Sequence, residues 1–242
     1  MALVQKEIKK VYLGSTKIRP TGRQPWANCV AYYPLEDDFN DYSWNGYNLT
    51  NSWLVLGTTS DWYKWAYIGT GNHADTNGFN YPYTWNWQTT WTIAFWLWCN
   101  TLTEGSWSIA ILSEWATNNN ANAWIWYTTY DYPDWWLWYF WIWDTFSWST
   151  MRPLDWVNMM DANNMHSYVI TINSTTFSMY KDWVLAVSAW ISWAWYTTGT
   201  WFRIWNESTD VSQCIQWYVR HFVYDTSVWT LSDVQAYHNW TA

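Results

Sequence analysis

A chain of 242 residues can bury one substantial core and leaves no room for two full β-domains. Eleven Lys and Arg against nineteen Asp and Glu give a net charge of −8, which argues against a surface that tracks nucleic-acid phosphates. Thirty Trp stand beside nine Gly, whereas Gly makes up about 7% of an ordinary chain, and any reading has to explain that imbalance.

The charge is unevenly spread. Lys6, Lys9, Lys10, Lys17, Arg19 and Arg23 all precede residue 26, so a basic leader is followed by an acidic body. Cys29, Cys99 and Cys214 are too few and too scattered for a disulfide framework or a zinc site, and read as small buried hydrophobes. Met1–Val4 runs straight into Gln5-Lys6-Glu7, without the apolar stretch of a secretory signal. The run Trp135–Trp143 (WWLWYFWIW) is apolar enough for a membrane. It is nevertheless strand-sized, well below the roughly 20 residues a spanning helix needs.

Residues 6–20 predict a hairpin turning at Gly14-Ser15-Thr16 and stopped by Pro20, with a linker at 21–25. Its Ile8-Lys9-Lys10-Val11-Tyr12-Leu13-Gly14 resembles the leaders of some phage virion and tail proteins, which implies an attachment element over 1–25. An ordinary edge hairpin is the equal alternative. The body, 26–242, opens with Val30-Ala31-Tyr32-Tyr33-Pro34-Leu35-Glu36, an apolar strand entering an acidic loop. Strands follow within 61–75, at 92–97 and at 109–113. Two more, 123–129 and 136–144, flank a loop at Tyr130–Asp134.

The segment 167–188 predicts a three-stranded meander. Tyr168, Ile170 and Ile172 alternate onto one face, Asn173-Ser174-Thr175 turns, Phe177–Tyr180 resumes, and Val184–Val187 follows Lys181-Asp182-Trp183. Strands at 202–206 and 218–225 come next. Last is a short helix after Thr230, for which Ser232 and Gln235 are the expected N-cap and capping-box partner.

Taken together, Tyr33-Pro34-Leu35, Thr92-Ile93-Ala94-Phe95-Trp96, the meander, Phe202-Arg203-Ile204, and Leu231-Ser232-Asp233 resemble laminin-G-like domains of the concanavalin-A-like lectin class over about residues 28–240. The resemblance implies an all-β, two-sheet antiparallel jelly-roll sandwich with an N-terminal hairpin and a short C-terminal helix. Trp183 departs from the pattern: the second residue of a hairpin turn after Asp182 calls for positive φ, which glycine adopts freely. Trp44, Trp53, Trp205 and Trp217 likewise stand where the family pattern has glycine, whereas Trp96 falls where it has Trp. UGA codons that mean glycine, translated as tryptophan, would produce this pattern. A Trp-rich sugar-stacking protein is the rival explanation, and it does not call for aromatics at turns.

Retaining glucanases of this fold need paired carboxylates on alternate residues of one strand. Glu7, Glu36, Glu104, Glu114 and Glu207 form no such pattern, and no metalloprotease helix, nucleophile elbow or phosphate loop occurs. The expectation is a non-enzyme. Asp37, Asp38, Asn40, Asp41 and Asn45 crowd one loop with the oxygens that Ca2+ prefers. Asp and Asn are also ordinary turn formers, and that reading is preferred. Asn72, His73 and Asp75, and Tyr130, Asp131 and Tyr132, combine a flat ring with hydrogen-bonding groups, as sugar sites do. They read equally as plain polar loops, and that reading is preferred.

The function expected is recognition of a glycan or other cell-surface ligand within a virion or extracellular surface assembly, with other assembly subunits as partners. No nucleic acid and no membrane span are expected. A structural decoration domain without a sugar site and a degenerate glycoside hydrolase are the alternatives.

Overall fold

A computed structural model of the chain describes the backbone of residues 11–13, 16–18, 26, 28–43, 45–52, 55–58, 64–68, 78–81, 90–99, 109–115, 121–132, 135–143, 150–151, 164–190, 202–205 and 217–241. Side chains are described at 26, 28–43, 45–49, 55–57, 90–98, 164–188 and 218–239. In chain order the strands are β1 (Val11–Leu13), β2 (Thr16–Ile18), β3 (Cys29–Tyr33), β4 (Thr50–Ser52), β5 (Val55–Thr58), β6 (Lys64–Ile68), β7 (Gly78–Tyr81) and β8 (Thr90–Cys99). They continue as β9 (Ile109–Trp115), β10 (Ala121–Tyr132), β11 (Trp135–Trp143), β12 (Thr150–Met151), β13 (Met165–Asn173), β14 (Thr176–Lys181), β15 (Val184–Trp190), β16 (Phe202–Trp205) and β17 (Trp217–Asp225). One helix, α1 (Leu231–Thr241), closes the described chain.

β1 and β2 pair with each other, Val11 opposite Ile18, as the leader hairpin predicts. The other strands build an antiparallel β-sandwich from two sheets. One runs β12-β11-β10-β9-β16-β7-β4, and the other β15-β14-β13-β8-β17-β6-β5 with β3 added against β17. The apolar run at 135–143 is β11, paired along its whole length with β10. Tyr130, Asp131 and Tyr132 are not in a loop, as the sequence suggested. They extend β10 opposite Leu137, Trp136 and Trp135.

The central strand β13 explains the core. Its register with β8 sets Tyr168 opposite Phe95 and Ile170 opposite Ile93, and with β14 sets Ile172 opposite Phe177. These six residues share one face and are at most 1% exposed. Alternation leaves Val169 on the reverse face, yet it is also 1% exposed. There Ala94, Trp96, Val169 and Val223 pack with Trp26, Trp229, and the helical Val234 and Tyr237. A helix of eleven residues is marginal by itself, and burying Val234 and Tyr237 contributes about 1.5–3 kcal/mol each.

The helix start differs from expectation. Thr230 is the N-cap: its backbone N–H and hydroxyl donate to Asp233 Oδ2 at 2.8 and 2.6 Å, and Asp233 N–H returns a 3.3 Å bond to Thr230 Oγ1. Ser232, proposed for that role from the sequence, already lies inside the first turn. Thr230 caps because its preceding Trp229 is anchored in the core at 4% exposure, which fixes where the helix begins.

Candidate functional site

The loop that leaves β3 carries the acidic cluster singled out from the sequence. Asp41 is its hub. Oδ1 accepts the backbone N–H of Tyr32 (3.0 Å) and Ser43 (2.8 Å), and Oδ2 accepts Tyr47 N–H (3.0 Å) with Ser43 Oγ 2.7 Å away. Asn45 hooks the loop back onto β3, its Nδ2 donating to Val30 O at 2.9 Å and reaching Cys29 O at 3.3 Å. Asp38 accepts Asn40 N–H at 3.1 Å and the Tyr42 hydroxyl at 2.8 Å. Asp37, Asn40, Asn45 and Asn48 lie at the surface.

These contacts are what a tightly wound polar turn requires: short side chains satisfying backbone donors that no strand can reach. Asp41 also acts on its neighbours. Burial, then the charges of Asp225 and Asp41, push the Cys29 thiol well above its ordinary pKa, so it stays protonated and unreactive. Burial, then Asp41, raises the Tyr33 phenol in the same way, and its hydroxyl donates to Tyr47 O at 2.6 Å. Among the described residues, no group of three or more His, Cys, Asp or Glu is placed to hold a metal ion.

Behind the loop two non-glycine residues adopt left-handed backbone, Leu35 (φ +57°) and His221 (φ +51°). They are neighbours, for His221 N–H donates to Pro34 O at 3.0 Å. His221 sits in a bulge of β17, where the register against β8 shifts between Arg220 and Val223. Its Nδ1 lies 2.7 Å from the Tyr32 hydroxyl and its Nε2 3.5 Å from Glu36 Oε1, and its carbonyl accepts the Tyr237 hydroxyl at 2.8 Å. The sequence places His221 within the strand 218–225, and nothing in the local pattern marks a bulge there.

A second polar cluster joins the meander to α1. His166 Nδ1 lies 2.5 Å from Asp182 Oδ2, Asp182 Oδ1 accepts Ser167 N–H at 3.0 Å, and Ser167 Oγ lies 2.8 Å from His238 Nδ1. Burial pushes the Asp182 carboxyl up. The His166 hydrogen bond, the Ser167 N–H and the charges of His166 and His238 outweigh it, so the carboxyl titrates below its ordinary value. Burial lowers His238, and Asp182 only partly reverses this. Residue types of a nucleophilic triad meet here without its geometry. Ser167 is 1% exposed, and the carboxylate engages His166 rather than the imidazole that faces the hydroxyl.

The remaining sequence-predicted residues divide. Asn72, His73 and Asp75 lie outside the described residues. Tyr130, Asp131 and Tyr132 end β10 beside the β10–β11 turn, their side chains outside the described set. No described helix is long and apolar enough to cross a membrane.

Solved structures share the fold at low identity. The binding domain of Paraclostridial Mosquitocidal Protein 1 superposes with a TM-score of 0.68 and 15% identity, over 89% of this chain and 53% of that one. The binding domain of botulinum neurotoxin DC, solved with SialylT, gives 0.64 and 13% over 89% and 51%. Domain 4 of AbnA, a GH43 extracellular arabinanase from Geobacillus stearothermophilus solved with arabinotriose, gives 0.63 and 13% over 87% and 98%. The chain thus spans about half the length of the toxin domains and nearly all of the arabinanase domain. At these identities the likeness is one of fold. No family model matches the sequence, and no curated protein matches it.

Proposed function

We propose that the chain is a non-catalytic recognition domain that binds carbohydrate on a cell surface, and that it is a divergent member of the laminin-G-like class. The observation that carries this reading is the shared fold, over nearly its whole length, with an arabinanase domain solved with arabinotriose. The toxin binding domain solved with SialylT supports it from a second direction. Binding by such a domain rests on loops held on a stiff sheet frame. The contacts of Asp41 and Asn45 stiffen one of them here.

The residues proposed to touch sugar are Asn72, His73 and Asp75 with Tyr130, Asp131 and Tyr132. Rings stack on the pyranose or furanose face and the amide and carboxylate groups take its hydroxyls. The leader, 1–25, is proposed as the element that attaches the domain to a virion or extracellular assembly, where many copies convert weak single-site binding into avidity. A glycan array with and without chelator tests the proposal. Binding to a defined glycan class, lost on the joint Tyr130→Ala and Tyr132→Ala change at two positions that share one face of β10, is expected. Binding to no glycan in either condition, with the protein folded, would leave the structural decoration role in its place.

A further inference from the structure

We infer that Trp183 stands where the native protein carries glycine, and that the tryptophans of this chain are of two kinds which the fold separates. The turn joining β14 to β15 holds two residues between the paired Lys181 and Val184. Both have positive φ, +48° at Asp182 and +62° at Trp183. That is the mirror-image turn that matches strand twist, and its usual occupants are Asn-Gly and Asp-Gly. Asp enters the left-handed region with help from its short polar side chain, but a bulky aromatic there is an outlier. Trp183 gains nothing in exchange. It is 46% exposed, beside Val184 at 58% and Leu185 at 51%, and makes no ring contact with the described residues.

Trp96 and Trp229 are the opposite case. Trp96 lies in the extended backbone of β8 at 4% exposure, its ring stacked 5.2 Å from His238 with the Arg220 guanidinium 5.1 Å from the ring centre. Trp229 is also 4% exposed, and its backbone N–H donates to Thr92 Oγ1 at 3.0 Å. Glycine at either would open a cavity in a packed layer. Position 183 therefore calls for glycine, whereas positions 96 and 229 call for tryptophan. A gene in which UGA encodes glycine, read with UGA as tryptophan, merges the two sets. It also accounts for thirty Trp beside nine Gly. Trp44, before Asn45-Gly46, and Trp53, after Asn51-Ser52, also stand beside turn-forming residues in the sequence, and both lie outside the described residues. It follows that the indole at 183 is no sugar-stacking platform.

The test is to read codons 183, 96 and 229 in the source genome and to sequence the corresponding peptides of the protein from its native source. UGA at 183 with UGG at 96 and 229, glycine in the peptide spanning 183, and an intact mass below 29.2 kDa are expected. UGG at 183, or tryptophan in that peptide, overturns the inference, and UGA at 96 and 229 overturns the division into two kinds. In recombinant protein, Trp183→Gly should raise the melting temperature of the chain as written. An unchanged or lower value overturns the strain on which the inference stands. None of these readouts depends on glycan binding, so the recognition proposal and this one fail separately.

Discussion

His238 on α1 and Ser167 on β13 are joined by a 2.8 Å contact between Nδ1 and Oγ, which ties the C-terminal helix to the central strand of the sheet. A neutral imidazole can hold this contact while its ring stacks on Trp96. The same strand carries His166, which pairs with Asp182 in the β14–β15 turn, so two acid-sensitive contacts converge on one end of the meander.

Stability should therefore fall with acid in two steps. His238 has its folded pKa lowered, chiefly by burial. The unfolded chain takes up that proton first, and stability present above about pH 6.5 is lost as pH falls below it. Asp182 also has a lowered folded pKa. Its contribution is present above about pH 3.9 and is lost as pH falls through the folded value. Thermal melts from pH 8 to 3 check this. His238→Gln should flatten the upper step and leave the lower one, and an unchanged upper step would assign it to another group.

The loop after β3 should depend on one carboxylate. Asp41→Ala removes the acceptor for three backbone N–H groups and a partner of the Ser43 hydroxyl. An expected loss of about 2–4 kcal/mol follows from stranding several partly buried donors. Asp41→Asn, which keeps one acceptor oxygen, should lose less. Because Asp41 is satisfied by donors of the chain itself, a chelator should leave the denaturant midpoint unchanged. A midpoint that drops on chelation and returns with Ca2+ would assign the cluster to a cation.

Much of the frame was legible from the residues themselves. The alternation of Tyr168, Ile170 and Ile172 defines the buried face of β13, and Asp182 before residue 183 marks the type of the β14–β15 turn. Burial of Val169 was not legible, because strand alternation cannot show that a helix more than sixty residues away covers the second face. The extension of β10 through Tyr132 was hidden for a related reason. Tyr-Asp-Tyr-Pro-Asp reads as a loop by composition, and only the pairing with β11 makes its first three residues strand. His221 shows the same limit more sharply, since a bulge is a property of register and leaves no mark on one strand alone.

The pair of left-handed residues should be held in place by hydrogen bonds rather than by preference. Tyr32→Phe deletes the hydroxyl 2.7 Å from His221 Nδ1 in a site where His221 is 8% exposed. The cost expected is about 1–2 kcal/mol, that of one buried polar atom left without this partner. His221→Asn, which tolerates φ near +51° better than other polar residues, should cost less than His221→Val, where a β-branched side chain meets the left-handed backbone. Equal losses in the two variants would mean that packing, not backbone conformation, governs the bulge.

The helix start offers a direct contrast between two hydroxyls two residues apart. Thr230 accepts Asp233 N–H and donates to Asp233 Oδ2, whereas Ser232 is exposed within α1. Thr230→Ala should cost about 1 kcal/mol, and Ser232→Ala should stay within about 0.5 kcal/mol of the parent. Urea titrations of both variants decide between the two caps. If Ser232→Ala proves the more damaging, the helix begins later than Leu231 and Thr230 belongs to the preceding loop. Because Val234 and Tyr237 seal the layer over β8 and β17, the Thr230 variant should also speed amide exchange in the first turn of α1 while leaving β13 protected. Cap loss frays the helix end, whereas collapse of the covering layer would expose both together.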